Sequence, residues 1–279
     1  MSTAPVGIFD SGIGGLTVAR AVQKLLPHES TIYLGDTARV PYGPKSPETV
    51  RRYAREIAEW LLSQHVKAIV IACNTATAHA LDDLRRFSPV PVIGVIEPGA
   101  RAAVAATRSG RIGVIGTQGT IRSAAYRRAL VAARPALELV ETACPLFVPL
   151  VEEGWFAHPA TRLIAEDYLG AARQQNVDTL VLGCTHYPML KPLIAQVMGR
   201  DVVLIDSGEQ TAEELATVLR SAGLAAPVSS VATHRWAATD DVARFAQVGA
   251  VFMGMVPAPV EMIDLADGSA SREAGEIQR

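Results

Sequence analysis

Ala68-Ile-Val-Ile-Ala-Cys-Asn-Thr75 and Thr179-Leu-Val-Leu-Gly-Cys-Thr-His186 are two versions of one phrase. Each is an apolar run of strand length, then a cysteine, then a small polar residue before a segment of helical period. A second pair stands in the same order: Val6-Gly-Ile-Phe-Asp-Ser-Gly12 matches Arg111-Ile-Gly-Val-Ile-Gly-Thr117 at a similar separation. Likeness between two hydrophobic strands is common, but two pairs in register favour an internal duplication. Two similar lobes would then face each other across a cleft, each offering it the carboxyl end of a strand, where ligands bind in open α/β sheets.

Around these blocks, short β-branched runs alternate with helical periods. Strands are expected at 6–10, 31–35, 68–73, 92–96, 111–116, 137–142, 179–184 and 202–205. The intervening helices are expected at 12–26, 47–65, 76–87, 97–107, 120–134, 161–176 and 189–198, with a further strand–helix–strand at 231–255. Strands separated by such helices imply right-handed crossovers and mostly parallel sheets, an α/β fold. The chain is expected to cross between lobes near Glu97–Pro98 and again near Asp206–Gly208. The first lobe then comprises 1–97 plus 207–265, the second 98–206, and 266–279 reads as a small, polar, flexible tail.

The 279 residues carry 26 Lys+Arg against 28 Asp+Glu, a net charge of −2, and 49% are hydrophobic. That supports a sizeable core and gives no general reason to expect nucleic acid or an anionic membrane as partner. The apolar runs fall short of the ~18–20 residues of a membrane span, and no signal-peptide pattern opens the chain. A cytoplasmic protein is expected.

Cys73, Cys144 and Cys184 form no CxxC pair and no metal-ligand spacing, so neither a disulfide framework, a zinc site nor any other metal is indicated. A free cysteine is by default a small buried hydrophobe, and Cys144 before Pro145 is read that way. Cys73 and Cys184 differ, because matched strand-end positions place both at helix starts, where unpaired N–H groups favour a thiolate and can hold a carboxylate. Two thiols facing across a cleft suit inversion of a carbon stereocentre: one removes a proton, and the other returns one to the opposite face. A dithiol for disulfide exchange is the competing reading, although such cysteines usually sit adjacent.

Asp10-Ser-Gly-Ile-Gly-Gly15 lacks the dinucleotide spacing, and no GKS or GKT follows, so it reads as a turn that lets backbone approach a small ligand. Asp10 either caps the next helix or assists a nearby group. Tyr42, between Pro41 and Pro44, belongs to a stiffened turn or offers its hydroxyl to a ligand. Glu152 is an exposed charge or a cleft carboxylate; His186, two residues after Cys184, is placed to tune protonation. No lysine stands out for a pyridoxal phosphate Schiff base.

With these residues assembled, the sequence resembles the glutamate racemases. The likeness runs through Gly7–Leu16, Leu34–Asp36, Pro41–Gly43, Ala72–Thr75, Pro149–Gly154 and Gly183–Pro188, in family order. The resemblance implies two α/β lobes related by pseudo-twofold symmetry with the active site between them, and often a homodimer. It implies interconversion of L- and D-glutamate without a cofactor, supplying D-glutamate for peptidoglycan. By the same likeness Cys73 and Cys184 would exchange the proton, with Asp10 assisting Cys73, and Glu152 and His186 assisting Cys184. Asp10, Ser11, Tyr42, Gly43, Asn74, Thr75, Thr185 and His186 would line the substrate site. An aspartate or hydantoin racemase would share paired cysteines, and a non-catalytic amino-acid sensor would share the cleft. A Cα–H is a very weak acid beside a thiol, so backbone donors near Asn74 and Thr185 and a cleft that closes against water are expected to stabilise the carbanion.

Overall fold

The strands at the centre of each sheet are buried along their whole length, which suits a sheet covered by helices on both faces. In a computed structural model describing residues 1–265, ten strands pair only in parallel and form two sheets. The first contains β1 (Val6–Asp10), β2 (Thr31–Gly35), β3 (Ala68–Ile71), β4 (Val92–Gly94), β9 (His234–Ala238) and β10 (Val260–Met262), ordered β10-β9-β2-β1-β3-β4. The second contains β5 (Arg111–Gly116), β6 (Glu138–Ala143), β7 (Thr179–Gly183) and β8 (Val203–Asp206), ordered β6-β5-β7-β8.

The order β2-β1-β3-β4 in one sheet is repeated as β6-β5-β7-β8 in the other. The sequence echo thus corresponds to a topological one: β1 matches β5, and the cysteine-bearing phrases are β3 and β7. Two similar parallel-sheet lobes are present.

Period-two alternation divides each sheet between two cores. In the first sheet, Phe9, Leu34, Ile69 and Ile71 face α2 (Pro47–Ser63) and α3 (Asn74–Phe87) through Ile57, Leu61 and Leu84. Ile8, Tyr33 and Val70 face the other way, toward α1 (Leu16–Leu25), α10 (Ser207–Ser221) and α11 (Val242–Met253). That second cluster continues unbroken into the other lobe through Ile115, Leu180, Leu182 and Phe147 of α7 (Phe147–Glu152), then α8 (Pro159–Gln174) and α9 (Lys191–Met198). The far face of the second sheet packs Val114 and Val181 on α4 (Ile96–Ala106) and α6 (Ala125–Ala133). Full burial of each such side chain stabilises by ~1.5–3 kcal/mol, so the shared cluster binds the lobes together as well as filling them.

The structure differs from the sequence reading in five places. The expected helix 12–26 begins only at Leu16, because Ile13, Gly14 and Gly15 form the preceding turn. The single helix expected over 120–134 is two, α5 (Gln118–Arg122) and α6, broken at Ala124 with φ +52°. Two helices unforeseen in sequence, α7 and α10, follow β6 and β8. The last strand is at 260–262 rather than before 255. Cys184 starts no α-helix: it is followed by a turn and a 3₁₀ helix, Tyr187–Leu190, before α9. The expected tail, 266–279, lies outside the described residues.

Candidate active site

Parallel pairing puts all strand carboxyl ends of a sheet on one edge, and the chain places its polar residues there. Asp10 ends β1, opposite Gly35 of β2. Cys73 lies just past β3 and caps α3, its sulfur accepting from the Ala76 N–H at 3.4 Å. Thr117 follows β5 and caps α5 through the Thr120 N–H, 3.2 Å. Cys184 follows β7, and its carbonyl accepts from the Tyr187 N–H at 3.1 Å.

The two edges meet. Gly14 of the first lobe lies against the Thr185–His186 turn of the second so closely that a Cβ there would overlap both side chains. Glycine at this position is therefore required by close approach. The Thr17 hydroxyl donates to the Thr185 carbonyl at 3.2 Å. On the other flank, the Thr75 hydroxyl is 2.8 Å from that of Thr117 and 3.3 Å from that of Thr120. The Tyr126 hydroxyl donates to Asn74 Oδ1 at 2.8 Å. Cys73 and Cys184 are each only 6% exposed, and Asn74, Thr75, Thr185 and His186 are buried with them. Both sulfur-bearing residues are thus buried where the lobes meet.

The surroundings of the sulfurs differ. The Cys73 thiol donates to Ser11 Oγ at 3.6 Å. Burial, and then the nearby Asp10 carboxylate, push its pKa up to about 12, with the Cys184 sulfur adding to the effect. Asp10 is itself fully buried; Oδ2 accepts from the Gly12 N–H at 3.1 Å, and Oδ1 has no partner. Burial raises its pKa against the attraction of His186 and the N–H groups of Gly15, Gly12 and Ser11.

On the other side, Cys184 Sγ lies 3.8 Å from His186 Nδ1, and His186 Nε2 lies 2.9 Å from Glu152 Oε1. Burial disfavours the imidazolium, but the bonds to Cys184 and Glu152 outweigh it and carry the His186 pKa up to about 10. Glu152 is held below its ordinary value: burial opposes this, yet the His186 bond and charge prevail. Cys73 thus has a hydroxyl and a buried carboxyl, whereas Cys184 has an imidazolium backed by a carboxylate.

Of the remaining sequence candidates, Gly43 is buried against Thr117, where a Cβ would stand 3.1 Å from the threonine Cβ. The buried Tyr42 hydroxyl donates a hydrogen bond to Asp36, which also pairs with Arg39. Its engagement lies within its own lobe. Cys144 is fully buried, with burial raising its thiol pKa. Among the described residues, no group of three or more His, Cys, Asp or Glu is arranged to hold a metal. Thr117, Thr120 and Tyr126 were missed in sequence; only the alignment of Thr117 with Gly12 pointed toward the edge.

The Asp/Glu/hydantoin racemase family model matches residues 16–215. The glutamate racemase of Geobacter metallireducens is 55% identical over 249 residues, covering 89% of this chain and 92% of that one. The structure of glutamate racemase RacE1 from Bacillus anthracis superposes with a TM-score of 0.91 at 41% identity, covering 95% of this chain and 99% of that one. The Francisella tularensis glutamate racemase, solved with D-glutamate, gives 0.90 at 37% identity over 96% and 100% of the two chains. A match across most of both lobes, with the paired cysteine turns at their junction, identifies the chain as a member of the Asp/Glu/hydantoin racemase family.

Proposed function

We propose that the protein interconverts L- and D-glutamate by two-base proton exchange, with Cys73 and Cys184 acting on opposite faces of Cα. The observation that carries this reading is the matched pair of thiols at the ends of β3 and β7, buried together where the lobes meet. Its support for glutamate comes from the relatives, which bear that name across nearly their whole length.

In one direction a Cys184 thiolate, balanced by the His186 imidazolium, takes the α-proton. The planar intermediate then receives a proton from the Cys73 thiol, which its surroundings keep protonated. In the other direction Cys73 must give up that proton, and the buried Asp10 carboxylate is positioned to assist. Free donors stabilise the carbanion through the carboxylate; each is worth ~3 kcal/mol if comparable to an oxyanion-hole donor. The Asn74 amide nitrogen, buried and unpartnered, is free to hold the substrate carboxylate in the ground state. The chain's own residues provide the acid, the base and the closed site. The product would be D-glutamate for peptidoglycan, made in the cytoplasm; no helix among the described residues is long and apolar enough to cross a membrane.

The test is racemisation followed by chiral chromatography in D₂O, without added metal or pyridoxal phosphate. Cys73→Ser and Cys184→Ser should each lower turnover on the order of 10³-fold, as expected for loss of a general acid or base. Near-normal racemisation by either variant would refute the two-base scheme. Turnover of aspartate but not glutamate would reject the substrate, and no turnover by the wild type would favour an amino-acid sensor.

A further inference from the structure

Tyr126 touches both cysteine turns. It is fully buried in the first turn of α6, in the second lobe, yet its hydroxyl reaches Asn74, the residue after Cys73 in the first. Its ring lies over Gly183, the residue before Cys184, where an added Cβ would come within 3.0 Å of the Tyr126 Cε2. The phenol oxygen also lies close to Gly99 of α4, 3.5 Å from where a Cβ there would stand.

These contacts settle how the Asn74 amide is turned. A phenol has one proton to give. That proton goes to Asn74, and it requires the carboxamide oxygen on that side. The amide nitrogen is therefore held facing away from Tyr126, buried and without a partner. An unmade buried hydrogen bond of this kind is costly, and a ligand acceptor relieves it.

We infer that Tyr126 is a positioning residue for substrate: it locks the Asn74 carboxamide with its N–H₂ presented to a carboxylate of the bound amino acid. The same ring sets the separation of the two sulfur-bearing turns. This rests on the reading of the interlobe site as an amino-acid racemase site. The lock is a ground-state device, so it serves both enantiomers alike, and its loss falls on binding rather than on proton transfer.

Tyr126→Phe keeps the ring on Gly183 and removes only the hydroxyl. The expected result is a rise in KM of about tenfold, the size of one hydrogen bond, equal in the L-to-D and D-to-L directions, with kcat changed much less. In an Asn74→Ala background the same substitution should add almost nothing. In ¹⁵N spectra of the unliganded protein, the Asn74 side-chain amide should show one pair of resonances in the wild type, and exchange broadening or a second pair in Tyr126→Phe. Unchanged KM, or a loss that adds fully to that of Asn74→Ala, would overturn the inference. Failure of the wild type to turn over glutamate would instead strike the functional reading, and the Asn74 resonances would still decide whether Tyr126 locks the amide.

Discussion

Between Cys184 and Glu152, His186 uses both ring nitrogens, one toward a sulfur and one toward a carboxylate. Its folded pKa of about 10 stands above the ordinary 6.5. A raised pKa contributes stability that is complete below about 6.5 and is lost as pH climbs through the folded value. Glu152, held below its ordinary 4.5, stays ionised throughout that window. Glu152→Gln should therefore be destabilised most relative to wild type near pH 6, with the gap closing toward pH 10 in urea titrations. The alkaline limb of its turnover should also move toward neutral pH. A gap independent of pH would remove Glu152 as a contributor to the shift beside Cys184. Cys73, Cys184 and His186 were legible because their spacing carries meaning. Tyr126 was not: a single tyrosine in an amphipathic helix reads as core, and only the fold shows that its hydroxyl reaches the other lobe.

Helices and strands obeyed their sequence signals wherever periodicity was the deciding force. Ser46 caps α2 with Pro47 in its first turn, and β1, β2 and β5 run between the residues expected. The failures came where local hydrogen bonding overrode period. Ser123 donates to the Thr120 carbonyl at 2.6 Å and accepts from the Ala125 N–H at 3.1 Å, turning the chain between α5 and α6. Ala124 is thereby held in the left-handed region. That conformation costs an L-residue ~1–2 kcal/mol, while glycine brings back ~0.5–1 kcal/mol of extra freedom in the unfolded chain. Ala124→Gly should accordingly raise stability by about 0.5 kcal/mol, read from the urea midpoint. A clear loss would show that the corner is not strained. The corner matters to the site because it aims α6, and with it Tyr126, at Asn74. The helix α10 had no such conflict; its boundary was simply masked by the expected lobe crossing at Asp206–Gly208.

At the scale of the molecule, repetition made the two lobes readable, because the same strand phrases recur. Their closure was not, since it depends on surfaces from distant parts of the chain. Within the first lobe, distant parts of the chain are likewise joined by the buried ion pair of Lys67 and Glu29. Lys67 also donates to the Ser2 carbonyl at 2.7 Å, and Glu29 accepts from the Ala226 N–H at 2.7 Å. The pair thus ties the beginning of the chain, the entries to β2 and β3 and the segment after α10. Lys67→Ala leaves a buried carboxylate uncompensated and should cost ~3–5 kcal/mol, whereas Lys67→Met with Glu29→Met should cost distinctly less. Equal losses for the single and double variants, by chemical denaturation, would contradict this account.

The position of β9 in the first sheet has a consequence for biosynthesis. β9 pairs with β2, but some two hundred residues of chain separate them, and β9 lies beyond the whole of the second sheet. On the ribosome, β2 must wait with one side bare while the intervening lobe is translated. An uncovered strand edge invites pairing with other nascent chains. The edge of β2 is therefore covered only once the last stretch of chain has been made.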